Sequence, residues 1–191
     1  MPELTKEALR AEMRKKRDSM TVQEAAEQSK IICEKVAGLD KFKTARTVAL
    51  YIPKGSEVDV KRLITKAIVD KEVLVPITHA ETDQHEIEFV KFTTFDDLKS
   101  ARFGILEPKT KTKPNHEPDV VVVPGLAFDL DLHRLGYGKG YYDKLFARLK
   151  TFKIGVCFDF QIVDKIPRHE HDQRLDLVVS EKRVLKPVLG L

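Results

Sequence analysis

The stretch Asp119-Val120-Val121-Val122-Val123-Pro124-Gly125 sets four consecutive valines between an aspartate and a Pro-Gly stop. β-Branched residues without polar alternation belong on a strand buried on both faces, so this strand is expected at the centre of a parallel sheet. Leu126-Ala127-Phe128-Asp129 then leads through a polar bend into Arg134-Leu135-Gly136-Tyr137-Gly138-Lys139-Gly140-Tyr141-Tyr142-Asp143. The glycine loop therefore falls just past the carboxyl end of the central strand, where open α/β sheets gather ligands.

Glycine lacks a Cβ, so the backbone N–H groups of Gly136, Gly138 and Gly140 can take positive φ and approach a ligand closely. Such a loop opening a helix gathers unpaired N–H donors at the positive end of the helix dipole, which suits phosphate. Arg134 and Lys139 add positive charge, and Asp143 adds a carboxylate in the first helical turn. A carboxylate placed there can hold Mg²⁺, which takes one or two protein carboxylates plus waters and substrate phosphates. The plainer reading is a flexible glycine turn between strand and helix; the flanking Arg, Lys and Asp favour phosphate. The helix that follows should bury Tyr142, Leu145, Phe146 and Leu149, with Asp143 projecting from its other side.

Beyond it, Phe152 to Phe158 reads as an apolar strand, Gln161 to Arg174 as a polar loop, and Leu175 to Ser180 as the last strand before a short basic tail. The loop contains His169-Glu170-His171-Asp172, a possible transition-metal set that lacks a third ligand at a clear spacing.

On the amino-terminal side, Thr5 to about Asp18 reads as a helix on which Lys6, Arg10, Arg14 and Arg17 form one basic stripe. The stripe is either a solvated face or a set of anion ligands reaching the phosphate site from the other end of the chain. Thr21-Val22-Gln23-Glu24 is a capping box, with Val22, Ala25, Ser29, Ile32, Cys33 and Val36 on the buried side of the helix it opens and Met20 stapling its start. Thr47 to Ile52 reads as a buried strand ending at Pro53, and Pro53-Lys54-Gly55-Ser56 as a turn. Glu57 follows, before a helix carrying Val60, Leu63, Ile64, Ala67 and Ile68. At that strand-to-helix passage Glu57 either meets a ligand or complements the helix dipole. Glu72 to Pro76 is a short strand, and the alternating Glu86 to Phe92 is a half-exposed strand near a sheet edge. Lys109 to Pro118 is an exposed loop, and the lone loop histidines His79 and His85 receive no role.

A chain of 191 residues fits one domain over 1–191. No apolar run is long enough to span a bilayer, and the start of the chain lacks a secretory core. Cys33 and Cys157 fit no metal spacing and read as reduced thiols, so the expected location is cytoplasmic. The net charge of +4 suits anionic small molecules and is too small to argue for nucleic acid.

Together these stretches resemble the 5-formyltetrahydrofolate cyclo-ligase (methenyltetrahydrofolate synthetase) family. The resemblance rests on Lys6-Glu7-Ala8-Leu9-Arg10, Tyr51 to Asp59, Gly104 to Pro108, Val123 to Asp129 and, most specifically, Arg134 to Asp143. It implies a single α/β domain with a central, largely parallel sheet flanked by helices. It also implies ATP- and Mg²⁺-dependent closure of 5-formyltetrahydrofolate to 5,10-methenyltetrahydrofolate, with release of ADP and phosphate. By matching positions, Lys6, Arg10, Arg134, Leu135, Gly136, Tyr137, Gly138, Lys139, Gly140, Tyr141 and Tyr142 would bind ATP. Ile52 and Glu57 would contact the folate, Tyr141 would offer the pterin an aromatic face, and Asp143 and Asp172 would hold Mg²⁺. Whether Asp172 or Asp176 meets the metal is open at this point. Lys139 and Arg134 would neutralise charge in phosphoryl transfer. A monomer acting on small molecules, without nucleic acid or membrane, is expected.

One position departs from the family. Leu132 stands where a glycine is common, two residues before Arg134, and leucine does not easily take positive φ. The bend from Asp129 to His133 is therefore expected to differ locally. Three other readings stay in view: a nucleotide- or phosphate-binding module without catalysis, a sugar-phosphate isomerase needing neither ATP nor metal, and a nucleic-acid binder using the first helix.

Overall fold

The computed structural model describes residues 5–78, 86–101, 104, 106–168 and 172–187; His79, His85, Phe103, Ile105 and His169 to His171 lie outside them. Helix α1 (Lys6–Asp18) starts where Thr5 accepts the Ala8 N–H on its hydroxyl. Helix α2 (Val22–Gly38) opens on the predicted capping box between Thr21 and Glu24. Ser29, Ile32, Cys33 and Val36 are buried as expected, whereas Val22 is exposed, because the first residue after the cap faces away from the sheet. Helix α3 (Asp40–Thr44), which the sequence reading passed over, inserts Phe42 into the core.

Strand β1 (Thr47–Ala49) is shorter than the predicted Thr47 to Ile52. Leu50 still donates to Leu74 O (2.9 Å), but beyond it the chain curls over the sheet end, where the Tyr51 hydroxyl donates to Val58 O (2.7 Å). After this come α4 (Lys61–Ala67), β2 (Glu72–Thr78), β3 (Ile87–Lys91), β4 (Leu98–Ser100), β5 (Leu106–Pro108), β6 (Val120–Val123), β7 (Ala127–Asp129) and β8 (Arg134–Leu135). The remaining elements are α5 (Tyr141–Arg148), β9 (Phe152–Val156), β10 (Ile162–Val163), β11 (Leu177–Val179) and β12 (Val184–Leu185).

The main sheet has the order β12-β11-β9-β6-β1-β2-β3, so the valine strand β6 is its centre. It pairs in parallel with β1 (Val48 opposite Val120) and with β9 (Val120 opposite Phe152). The antiparallel strands β3 and β12 close the two edges, which fits the alternating pattern of Glu86 to Phe92; β12 lies in what read as a plain tail. The alternation of β6 divides the core. Val120 and Val122 join α2, α3 and α4 through Ile32, Val36, Phe42, Leu63 and Ile64. Val121 and Val123 join α5 through Leu145 and Phe146 on the other face.

A three-stranded sheet, β10-β7-β8, extends the carboxyl end of β6. Strand β10 falls within Gln161 to Arg174, so that segment is not wholly loop. Helix α1 packs on this sheet through Leu9 and Met13, against Leu126, Leu135 and Ile166.

The bend between β7 and β8 corrects the expectation for Leu132. Its φ is +68°, so leucine takes the left-handed conformation in place of glycine, and its side chain is fully buried beside Phe128 and Phe146. That conformation costs a non-glycine residue about 1–2 kcal/mol. Asp129 holds it in place. One carboxylate oxygen accepts the N–H of Asp131 (3.1 Å) and of His133 (2.8 Å), and the other accepts that of Ile166 (3.2 Å). The buried Asp129 is thus a structural anchor for the bend.

Candidate active site

The glycine loop runs from β8 into α5, past the carboxyl end of β6, as the sequence predicts. Gly138 (φ +98°) and Gly140 (φ +69°) use conformations open to glycine, and Gly140 is the residue that caps α5. With no side-chain cap on Gly140, the first amides of α5 remain available to an anion.

Arg134 enters from β8 and is buried. One guanidinium nitrogen donates to Pro124 O at the end of β6 (3.4 Å), another reaches the Asp143 carboxylate (3.5 Å), and the group lies over the Tyr142 ring (5.1 Å). Tyr142 was expected in the core; it is half-buried, with its ring shared between Arg134 and Phe146 (5.9 Å). Leu135 is buried against α1, and Tyr141, first residue of α5, is half-buried. Lys139 is exposed and makes no hydrogen bond or ion pair with any described residue.

The basic stripe of α1 divides between the two readings. Lys6 pairs with Asp172 (2.6 Å), Arg10 donates from Nε to Gly136 O (3.0 Å), and the buried Arg17 donates to the Ser56 hydroxyl (3.0 Å). Arg14 is exposed to solvent. Three of the four cations therefore fasten α1 to the loop, to the segment after β10 and to the turn before Glu57.

Glu57 lies four residues ahead of α4, not in its first turn, so dipole complementation is not its role. One carboxylate oxygen accepts the Lys54 N–H (3.0 Å) and the other the Tyr137 hydroxyl (2.6 Å). Burial pushes its pKa up, opposed by these two hydrogen bonds and by the charges of Arg17 and Lys54. Burial also pushes the Tyr137 and Tyr142 phenols up, so both keep their protons near neutrality and Tyr137 acts as donor. The Arg17 guanidinium covers the Tyr137 ring at 5.8 Å. Ile52 is buried in the core at the carboxyl end of β1. The Glu57–Tyr137–Arg17 contact was not legible in the sequence, because its members come from three distant segments.

Asp143 and Asp172 approach each other through the chain: the Gln173 N–H donates to Asp143 (3.3 Å), next in sequence to Asp172. Both side chains keep partial exposure, each beside a cation. No group of three or more His, Cys, Asp or Glu side chains gathers among the described residues. The donor set fits a hard cation completed by phosphate oxygens and water. Asp176, in contrast, precedes β11 and accepts the Lys153 N–H (2.7 Å) at the amino end of the sheet, away from the loop. His169 and His171 lie outside the described residues.

Residues 3–181 match the 5-formyltetrahydrofolate cyclo-ligase family. A probable 5-formyltetrahydrofolate cyclo-ligase of Caenorhabditis elegans is 33% identical over 190 residues, covering 92% of each chain. The solution structure of Aquifex aeolicus 5,10-methenyltetrahydrofolate synthetase superposes with a TM-score of 0.86 at 35% identity, covering 98% of this chain and 95% of that one. A 5,10-methenyltetrahydrofolate synthetase from Mycoplasma pneumoniae gives a TM-score of 0.74 at 28% identity, with coverage of 93% and 99%.

Proposed function

The chain belongs to the 5-formyltetrahydrofolate cyclo-ligase family, a family of ligases, and from that premise we propose that it closes 5-formyltetrahydrofolate to 5,10-methenyltetrahydrofolate at the expense of ATP. The observation that carries the site assignment is the fastening of α1 onto the glycine loop, with Arg10 Nε 3.0 Å from Gly136 O. Lys6 and Arg10 of α1 would join Arg134 and Lys139 of the loop in binding phosphate at the amides that open α5.

The N5-formyl carbon is amide-like and a poor electrophile. In the proposed reaction its oxygen attacks the γ-phosphorus of ATP, an O–P bond forms, and the bond to the bridging oxygen of ADP breaks. N10 then attacks the activated carbon, phosphate leaves with the C–O electron pair, and N10 gives up its proton. Phosphoryl transfer asks the protein mainly for positioning and charge neutralisation. Arg134 is preplaced for this: its own pairing with Asp143 and its seat over Tyr142 fix the guanidinium at the loop. Lys139, free on the exposed loop, can turn toward the transferring phosphoryl group. Leu135 and the Gly136 to Gly140 backbone shape the cradle, with Tyr137, Tyr141 and Tyr142 along it. Asp143 and Asp172 would hold Mg²⁺, which would supply positive charge to offset that of the phosphates. Glu57 would accept hydrogen bonds from the pterin N–H groups, with Ile52 and Tyr141 supplying apolar contact.

The described residues contain no helix long and apolar enough to cross a membrane. A cytoplasmic monomer acting on reduced folate and MgATP completes the proposal.

The test is near-ultraviolet absorbance of the conjugated methenyl product, with purified protein, 5-formyltetrahydrofolate, ATP and Mg²⁺. A rise that needs all the components is expected. Nucleotide binding without any rise would leave a binding module and overturn the reaction.

A further inference from the structure

Tyr137 reaches from the glycine loop to the turn that carries Glu57. Its hydroxyl donates to Glu57 at 2.6 Å across 80 positions of sequence, and its ring lies under the Arg17 guanidinium of α1. The contact joins three parts. The loop supplies Tyr137, the turn after β1 supplies Glu57 and Ser56, and α1 supplies Arg17, which also donates to Ser56 at 3.0 Å. Ser56 in turn donates to Asp18 at the end of α1.

The contact lies at the surface, with Tyr137 43% exposed, and groups on both of its sides hold it. Arg17 is buried, at 5% exposure, and its hydrogen bond to Ser56 holds the cation beside the Tyr137 ring. The Glu57 carboxylate is fixed from its other side by the Lys54 N–H at 3.0 Å. The charged and titratable groups facing it are Lys54 on its own turn, Arg17 on α1, and the phenols of Tyr51, Tyr137 and Tyr142. Of these, Tyr137 alone lies in the glycine loop, between Gly136 and Gly138.

Resting on the proposed function, we infer that Tyr137 is a positioning residue that couples the two substrate sites. Phosphates held on the Gly136 to Gly140 amides fix the loop. The fixed loop holds the Tyr137 hydroxyl on Glu57, and the held carboxylate meets the pterin in one orientation. The reverse path follows from linkage: folate on Glu57 steadies Tyr137, and with it the loop. Arg134 and Lys139 act on the phosphates directly, whereas Tyr137 acts through Glu57.

Titration calorimetry of the full chain with 5-formyltetrahydrofolate tests this, with and without a non-hydrolysable ATP analogue and Mg²⁺. In the unsubstituted protein the analogue is expected to tighten folate binding at least ~5-fold, the lower end of common coupling strengths. Tyr137→Phe keeps the ring under Arg17 and removes only the hydroxyl, and there the ratio of the two affinities is expected to fall to within ~2-fold of one. A purely structural role would change both affinities and leave their ratio. The inference is overturned if Tyr137→Phe keeps the full ratio, or if the unsubstituted protein binds folate with no effect of the analogue. Absence of folate binding in the unsubstituted protein would remove the proposed function itself, and this inference with it.

Discussion

A Cβ at Gly136 would stand 2.7 Å from Nη1 of Arg134. The guanidinium can approach the loop this closely because the backbone carries no side chain there. Gly125 leaves the same room on the other side, where a Cβ would come within 3.0 Å of Arg134 Cγ and 2.6 Å of Phe128 Cζ. These glycines shape the seat of an arginine as well as any phosphate cradle, and they tie the end of β6 to the loop.

Gly136→Ala is therefore expected to displace Arg134 from Asp143 and Tyr142. Gly136 does not have a positive φ, so the alanine meets the arginine rather than backbone strain. Turnover should fall roughly 10- to 100-fold, the cost of misplacing a charged group by about 1 Å, while the melting temperature changes little. Unchanged turnover would mean that Arg134 need not sit where the loop puts it.

Leu132→Gly separates backbone strain from packing. Glycine would relieve about 1–2 kcal/mol of left-handed strain. Losing a fully buried leucine side chain costs about 3–5 kcal/mol. Packing wins, so the variant should be less stable by roughly 2–3 kcal/mol in denaturant titration. A variant at least as stable as the parent would show that strain dominates at this bend.

Legibility followed the range of the forces involved. Four valines on β6 must be buried on both faces, so the central strand and its parallel neighbours could be read directly. The glycine loop and the capping box of α2 are local patterns and also survived. Val22 did not follow its helical period, because position next to the cap overrode it. Leu132 was misjudged for a different reason. A local steric rule predicted avoidance of positive φ, and three hydrogen bonds to Asp129 with full burial outweighed it. Within the site, the basic stripe of α1 was visible as a stripe, but its partners Asp172, Gly136 and Ser56 depend on tertiary placement. The Tyr137–Glu57 hydrogen bond depends on it entirely.

Lys139→Ala tests the loop's free cation. Its exposure and lack of partners among the described residues predict no loss of thermal stability. If the ammonium meets the transferring phosphoryl group, turnover falls at least ~100-fold, as for other groups that stabilise charge in a transition state. Steady-state kinetics with saturating folate and a melt of the same sample check both halves. Full turnover would remove Lys139 from the reaction.

Glu57→Gln sets stability against binding, with a sign that changes with pH. Burial raises the Glu57 carboxyl above its ordinary pKa, against the pull of Tyr137, Lys54 and Arg17. A carboxyl that holds its proton more tightly in the folded chain stabilises the fold below the unfolded pKa, and that contribution is lost as pH rises through the folded value. Near neutral pH, ionised Glu57 is therefore a net burden on the fold. Glutamine keeps one acceptor oxygen for the Tyr137 hydroxyl, gives up the bond from the Lys54 N–H because its NH₂ can only donate, and carries no charge. The variant should melt higher than the parent at about pH 7, and the gap should close at about pH 4, where both side chains are neutral. Its affinity for 5-formyltetrahydrofolate should fall more than its affinity for ATP, because a carboxylate accepts the pterin N–H groups better than an amide does. A lower melting point at neutral pH would mean that the hydrogen bonds outweigh burial at Glu57. A larger loss for ATP than for folate would move Glu57 to the nucleotide side of the site.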